Sequence, residues 1–158
     1  MRLVLAATLS PSYGIYSGFE LCESAAVSGC EEYLNSEKYE IRVRNWNQPS
    51  NISDLATKVN RIRAKNLALQ CLDNIHFFAS ENDCLLIYGK HHSDNILLIV
   101  VNLDPHNTHH GTVNIPADFV GILPGGRYGS SIFSATLCTT GASATTCVSI
   151  PKRRLPIS

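Results

Sequence analysis

The stretch LAATLSPSYGIYSGFELCE, residues 5–23, decides the fold of this chain. The apolar segment that overlaps its start, residues 3–9, has no capping residue before it and predicts the last turns of a buried helix. Pro11 breaks that helix. Residues 13–19 are then rich in aromatic side chains and punctuated by Gly14 and Gly18, so we predict a short buried strand there. The chain therefore opens with a helix, a proline break and a strand.

The next region contains a long irregular segment and then an amphipathic helix. Residues 31–46 mix charges and aromatics without a period, which predicts an excursion with a packing or functional role of its own. Apolar residues then recur at helical spacing across residues 52–62, and Asn51 and Asp54 form a cap-like start. We predict a helix with one face on a core and its basic residues on the other face and in the last turns.

Beyond residue 70 the hydrophobic period becomes that of short strands. We predict strands at residues 75–79, 84–90, 96–103 and 112–115, separated by turns rich in Asn, Asp, His, Ser and Gly. Strands at this spacing are typical of an antiparallel β-sandwich, and the change of period predicts a domain boundary near Leu72.

Composition excludes several classes of partner. Lys and Arg total 13 and Asp and Glu total 13, so no charge excess indicates binding to nucleic acid or to a membrane surface. The longest apolar run, residues 96–101, is far shorter than the roughly 20 residues of a membrane helix. The amino terminus is also a poor match to a signal peptide. Six dispersed cysteines without a C-x-x-C pair indicate a reducing cytoplasm.

Three stretches together carry a family resemblance: residues 5–23, EEYLNSEKYEIRVRNW at residues 31–46, and NRIRAKNLALQ at residues 60–70. They resemble the α-1,4-glucan:maltose-1-phosphate maltosyltransferase family of the α-amylase superfamily (glycoside hydrolase family 13). YGK at residues 88–90 and VNLDPH at residues 101–106 fit the family's C-terminal domain. The resemblance covers roughly residues 1 to 120, and YGIYSGFELCE with SEKYEIR is its most specific part.

The resemblance implies a mixed α/β plus all-β architecture. Residues 1–72 would supply the terminal strand and helix of a (β/α)8 catalytic barrel, and residues 73–123 an antiparallel β-sandwich that is incomplete. In such barrels the chemistry lies at the C-terminal ends of the strands, which places the site near residues 18–45. A full barrel needs about 250 residues, so this chain contains only its end.

The resemblance also implies a reaction. Family members transfer a maltosyl unit from maltose 1-phosphate to the end of an α-1,4-glucan, with retention, through a covalent intermediate on two carboxylates about 5 to 5.5 Å apart. In the family these catalytic residues come from earlier strands, so we expect none in this chain and an inactive isolated chain. Neither a cofactor nor a metal is implied, and full-length members are homodimers by family.

Lys38 and Tyr39 match the family's positions that bind the maltosyl group of the donor. An ammonium offers three hydrogen-bond donors to sugar hydroxyls, and a tyrosine offers an aromatic face and a hydroxyl. Spacing alone favours a different interpretation, in which Lys38 is solvated and Tyr39 packs in the excursion. The resemblance favours substrate binding.

Other candidate residues have structural interpretations. We expect Glu20 to hold a loop by hydrogen bonds rather than to line the site. Tyr13 and Tyr16 are expected to pack in the barrel rather than to form a platform for sugar. Five histidines invite a metal site, but we expect them to be solvated residues of turns; they are His91, His92, His106, His109 and His110.

Residues 124–158 depart from the family pattern. Their composition shifts to small residues and ends in KRRLPIS, and plausible codons for residues 143–151, read in a neighbouring frame, can spell the missing family stretch. We therefore predict an atypical tail that arises from a frameshift near residues 120–130. Faces made for absent neighbours and an unpaired sheet edge would make the chain aggregate.

Two further functions stay open. One is a stand-alone glucan-binding β-sandwich that uses Trp46 and the tyrosines for stacking, although the only tryptophan lies outside the predicted sandwich. The other is a truncated product without function. Retardation in a native gel that contains glycogen separates them, because only a binding module would be retarded.

Overall fold

The computed structural model describes residues 1–34, 41–116 and 118–119, together with the backbone of two later strands. Two helices come first, α1 (Arg2–Leu9) and α2 (Ser53–Lys65), with short 3-10 helices at Phe19–Leu21 and Leu67–Gln70. Six strands follow them in the chain: β1 (Ile75–Phe78), β2 (Leu85–His92), β3 (Asn95–Asn102), β4 (His109–Ile115), β5 (Phe133–Thr139) and β6 (Thr145–Ser149).

The strands form two antiparallel sheets. The larger sheet has the order β1-β2-β3-β6, and β4 pairs with β5 in the smaller one. The turn between β2 and β3 includes Ser93 at a positive φ of 51°, and it sets a register in which Tyr88 lies opposite Ile99. The predicted antiparallel β region is confirmed, and residues beyond 123 add β5 and β6 to it.

Strands β2 and β3 are buried on both faces, so their sequences read as continuous apolar runs. One face carries Leu85, Ile87, Leu98 and Val100 toward β4. The alternate residues point to the helices, as expected from the two-residue period of a strand; they include Tyr88, Leu97, Ile99 and Val101, packed with Val4, Ala7, Val59 and Leu69. Each fully buried aliphatic side chain contributes about 2 kcal/mol to folding.

Helix α2 lies where its sequence predicts, but the predicted cap by Asn51 and Asp54 is wrong, because the N-cap residue is Ile52 and no side chain makes a capping hydrogen bond there. Asn51 Oδ1 accepts a hydrogen bond from the Ser53 N–H at 3.1 Å, and Asp54 lies in the first turn. In the last turn, however, Arg63 does not face solvent. Its guanidinium donates to the carbonyl oxygens of Ser10 (3.0 Å) and Pro11 (2.8 Å) and lies 5.0 Å from the centre of the Tyr13 ring. Arg63 therefore ties α2 to the break after α1.

Buried polar groups also join the helices to the larger sheet. The hydroxyls of Thr8 and Tyr88 lie 2.5 Å apart, and both side chains are buried. Lys90 is fully buried and donates from Nζ to the carbonyl oxygen of Cys71 at 2.7 Å. Burial lowers the pKa of the Lys90 ammonium, and the Coulombic interaction with Cys71 opposes that shift.

The strand predicted for residues 13–19 is wrong. These residues are irregular and lead into the Phe19–Leu21 helix, and Gly18 has a φ of 98° that a strand does not tolerate. A strand also needs a hydrogen-bonded neighbour, and within residues 1–34, 41–116 and 118–119 none pairs with this stretch. The other predicted helices and the strands within residues 75–115 are confirmed.

The division of the chain at residues 72 and 123 stays a prediction. Across the part of the chain that the structure describes, no helix has both the length and the apolar character that a membrane crossing requires.

Candidate functional site

A small hairpin leads into the predicted donor-binding segment. The Val27 N–H donates to the Glu32 carbonyl oxygen at 2.9 Å, and the Leu34 N–H donates to Ala25 at 2.8 Å. Tyr33 forms an isolated antiparallel bridge with Ala26 between them. The chain therefore reaches residue 34 in a position fixed by its own backbone.

An ion-pair cluster fixes the other side of the same segment. Glu23 accepts from Arg42 Nη1 at 3.3 Å, and Arg44 Nε lies 3.4 Å from its carboxylate. The Arg44 side chain is only 2% exposed, so its charge depends on a nearby carboxylate. Gly18 lies directly against this cluster, since a Cβ built on it would come within 2.4 Å of Glu23 Oε2.

Further hydrogen bonds join residues 18–21 to the segment that leads into helix α2. Glu20 accepts from the Gly18 N–H through Oε2 at 3.2 Å and from the Ile52 N–H through its carbonyl oxygen at 2.7 Å. Gln48 Nε2 donates to the Leu21 carbonyl oxygen at 2.8 Å. Glu20 thus stabilises a loop, as the sequence predicts.

Lys38 and Tyr39, the predicted substrate-binding residues, lie within residues 35–40, outside the described residues. The structure describes the residues on either side of them, up to residue 34 and from residue 41. Leu34 ends the hairpin on one side, and Arg42 and Arg44 are bound to Glu23 on the other.

The aromatic residues near this loop differ in exposure. Tyr13 packs against α2, where its hydroxyl donates to Asn60 and its ring lies beside Arg63. Tyr16 is 46% exposed and stacks on Tyr33, and the barrel packing predicted for it stays a prediction. Trp46 is 51% exposed and lies before α2, outside both sheets.

Two aliphatic side chains on the same segment are fully open to solvent. Ile41 is 100% exposed and Val43 is 95% exposed, and they alternate with the two arginines that bind Glu23. One side of this extended segment is therefore anchored to the chain and the opposite side presents bare aliphatic surface.

The histidines lie mostly in strands rather than in the predicted turns. His91 and His92 end β2, and His109 and His110 begin β4. His109 Nε2 lies 2.8 Å from Asp104 Oδ2, and this hydrogen bond, with those from Asn107 and His106, holds the pKa of the Asp104 carboxyl well below its usual range. In the described ranges, no cluster of three or more His, Cys, Asp or Glu residues is suited to a metal ion.

A cavity of about 210 Å³ opens on the β region and contains none of the predicted site residues. The Phe119 ring, which lines it, lies so close to the backbone of Gly89 that any Cβ there would overlap the ring. Its walls come from His76, Phe78, His91, Pro116, Asp118 and Phe119.

The sequence places the site near residues 18–45 but does not single out Tyr33, Glu23 or Arg44 within it. Alternation of arginine with aliphatic residues in IRVR was a usable signal for an extended segment with two unlike sides. The pairing of Glu23 with Arg44 spans 21 residues and follows from the tertiary structure alone.

Curated relatives match about three quarters of this chain, and a family model matches part of its β region. The family model described as "GLGE, C-terminal" matches residues 77–131. The Rhodospirillum rubrum α-1,4-glucan:maltose-1-phosphate maltosyltransferase is 52% identical over 126 residues, which are 78% of this chain and 18% of that protein. The Streptomyces coelicolor maltosyltransferase 2 is 43% identical over 127 residues, 77% of this chain and 19% of that protein.

A maltosyltransferase of Picrophilus torridus is 46% identical over 116 residues, 73% of this chain and 18% of its own length. The chain thus spans about a fifth of the length of the curated relatives it matches. Identity at this level across most of the chain, with the C-terminal model matched over β2, β3 and β4, shows that the chain belongs to the α-1,4-glucan:maltose-1-phosphate maltosyltransferase family, as a part of its C-terminal region.

Proposed function

We propose that this chain is the carboxy-terminal part of a maltosyltransferase that uses maltose 1-phosphate to elongate α-1,4-glucans. The observation that carries the proposal is 52% identity over 126 residues to a protein with that named activity. The matched length is more than twice the 55-residue span of the C-terminal family model, so it includes much of the helical region as well.

In this proposal residues 1–72 are the end of a (β/α)8 catalytic barrel and residues 73–123 belong to a β-sandwich. The bare aliphatic side of residues 41–43 supports it, because exposed Ile41 and Val43 are suited to contact with a neighbouring element. About four fifths of each relative's length lies outside the matched stretch, which is enough to supply that element. The catalytic carboxylates of a retaining transferase would then lie in that additional chain.

Lys38 and Tyr39 are proposed to hold the maltosyl group of the donor. The support is the anchoring of both flanks, by the hairpin before residue 35 and by the Glu23 ion pairs after residue 40. A segment whose two ends are fixed loses less conformational entropy when it closes on a sugar. Such residues position the donor and take no part in bond making.

The test is a chimera in which this chain replaces the matching 126-residue stretch of the Rhodospirillum rubrum protein. Phosphate release from maltose 1-phosphate in the presence of maltohexaose measures transfer. We expect activity in the chimera, and we expect Lys38→Met to raise the KM for maltose 1-phosphate about tenfold, the effect of losing about 1.4 kcal/mol of binding.

Lys58→Met is the matched control, since Lys58 is an exposed lysine on helix α2. It should leave both kinetic constants unchanged. A folded chimera without transferase activity would overturn the proposed function. Equal effects of the two lysine substitutions would overturn the role of Lys38 alone.

The remaining assignments are proposals of the same kind. The full-length protein would be a homodimer and would need no cofactor. Light scattering of the chimera tests the oligomeric state. Its proposed location is the cytoplasm, consistent with free thiols at Cys22, Cys30, Cys71 and Cys84. The frameshift in residues 124–158 is tested by resequencing the gene and by peptide masses across that stretch.

A further inference from the structure

Tyr16 and Tyr33 form a stacked aromatic pair on the surface beside the proposed donor segment. Their ring centroids are 5.7 Å apart and their planes differ by 17°, so the rings are close to parallel. Tyr16 keeps 46% of its surface in solvent and Tyr33 keeps 44%. The two aromatic side chains together form one exposed surface.

The pair is held in place before any ligand arrives. Tyr33 lies in the hairpin whose backbone bonds join Val27 to Glu32 and Leu34 to Ala25. Tyr16 lies in a separate turn, where its carbonyl oxygen accepts from the Phe19 N–H at 2.9 Å. Because the backbone at each tyrosine is held by its own turn and the two rings stack on each other, less conformational freedom remains to be lost on binding.

The chemistry of the pair suits a neutral sugar better than a protein or an anion. Tyrosine combines an aromatic face, which packs on the apolar face of a pyranose, with a hydroxyl that bonds to sugar hydroxyls. Ile41 and Val43, by contrast, are purely aliphatic and suit a protein neighbour. The adjacent exposed residues Glu31 and Glu32 are acidic, which disfavours a phosphate group at this position.

We infer that Tyr16 and Tyr33 form a subsite for glucose units of the α-1,4-glucan acceptor. The inference rests on the proposed function and adds to it where the acceptor, rather than the donor, is bound. Tyr33 precedes Lys38 by five residues in the chain, so an acceptor on the pair would lie near the donor segment. The pair binds glucan and leaves the donor phosphate to other groups.

Two measurements test this inference. The first is the KM of the chimera for maltohexaose and for maltose 1-phosphate in Tyr16→Ala and Tyr33→Ala. We expect each variant to raise the KM for maltohexaose about fivefold, the effect of losing one aromatic contact, and to leave the KM for the donor unchanged. Tyr33→Phe keeps the ring and should retain most of the affinity.

Phe77→Ala is the matched control, because Phe77 is an aromatic residue of β1 with 61% exposure. It should leave the glucan KM unchanged. Unchanged maltohexaose KM in both tyrosine variants of an active chimera overturns the subsite and leaves the proposed transferase function intact.

The second measurement needs no substitution and no transferase activity. Nitration of the unaltered chain by tetranitromethane, read by peptide mass, should be slowed at Tyr16 and Tyr33 by maltohexaose and not by an equal concentration of sucrose. An absence of protection at both tyrosines overturns the subsite. An inactive chimera combined with protection overturns the transferase proposal and retains glucan binding.

Discussion

The hydrogen bond between Thr8 and Tyr88 tests whether the helices and the larger sheet unfold as one unit. Thr8 is 2% exposed and Tyr88 is fully buried, and their hydroxyl oxygens are 2.5 Å apart. Thr8 Oγ1 also donates to the Val4 carbonyl oxygen at 2.6 Å, so the Tyr88 hydroxyl is the donor in the pair.

Removing either partner has a calculable cost. Tyr88→Phe keeps the ring and leaves the Thr8 donor bonded to Val4, so we expect a loss of about 1 kcal/mol. Thr8→Val keeps the shape but leaves the buried Tyr88 hydroxyl without this acceptor, which costs about 2 kcal/mol. The double variant should lose about 2 rather than 3 kcal/mol, because the same bond is broken twice; the coupling energy is therefore about 1 kcal/mol.

The assay is urea unfolding of the four proteins, followed by circular dichroism at a concentration where light scattering shows a monomer. Thr57→Val is the control, since Thr57 is an exposed threonine of helix α2, and it should change stability by less than about 0.5 kcal/mol. A coupling energy near zero, or two separate transitions of which only one responds to the substitutions, would refute the joint core.

Two further predictions concern the ion-pair cluster and the turn before β4. Gly18→Ala should destabilise the fold by about 1 to 3 kcal/mol, because Gly18 has a φ of 98° and an added Cβ would come within 2.4 Å of Glu23; Gly14→Ala, with no atom within 4 Å of its Cβ, is the control in the same urea titration. If both substitutions have the same effect, the argument from Gly18 is wrong. Asp104→Asn should lower the urea concentration at the unfolding midpoint at pH 7. The difference in midpoint from the unaltered chain, the deficit, should become smaller as the pH falls from 5 towards 2. The pKa of Asp104 is lower in the folded chain than in the unfolded one, so its stabilisation is fully present above about pH 4 and declines progressively as the pH falls from there towards the folded pKa. A deficit that is the same at pH 7 and pH 3 would contradict the assignment.

The elements that the sequence predicts correctly are those whose hydrophobic period is strong. Helix α2 follows from apolar spacing, and β2 and β3 follow from apolar runs between turn residues. The error at residues 13–19 has a physical cause. Aromatic residues suit a strand, but Gly18 requires a positive φ and a strand requires a neighbour to pair with.

The buried charges were beyond prediction from sequence. Lysine and arginine are almost never fully buried unless they are paired, so Lys90 and Arg44 read as surface residues. Their burial depends on the Cys71 carbonyl oxygen and the Glu23 carboxylate, which lie 19 and 21 residues away in the chain. For the same reason the stack of Tyr16 on Tyr33 was not predicted, because it joins two turns separated by the Phe19–Leu21 helix.

The burial of β2 and β3 on both faces has a consequence for recombination between homologous genes. A crossover between residues 72 and 77 would separate the sheet from the helices that cover Tyr88, Leu97 and Ile99. A hybrid of that kind inherits two half-interfaces that were selected in different lineages, and the main-chain carbonyl oxygen that accepts from Lys90 would be positioned by the helices of the other lineage. Helices α1 and α2 and strands β2 and β3 should therefore be inherited together, as a single exchangeable block.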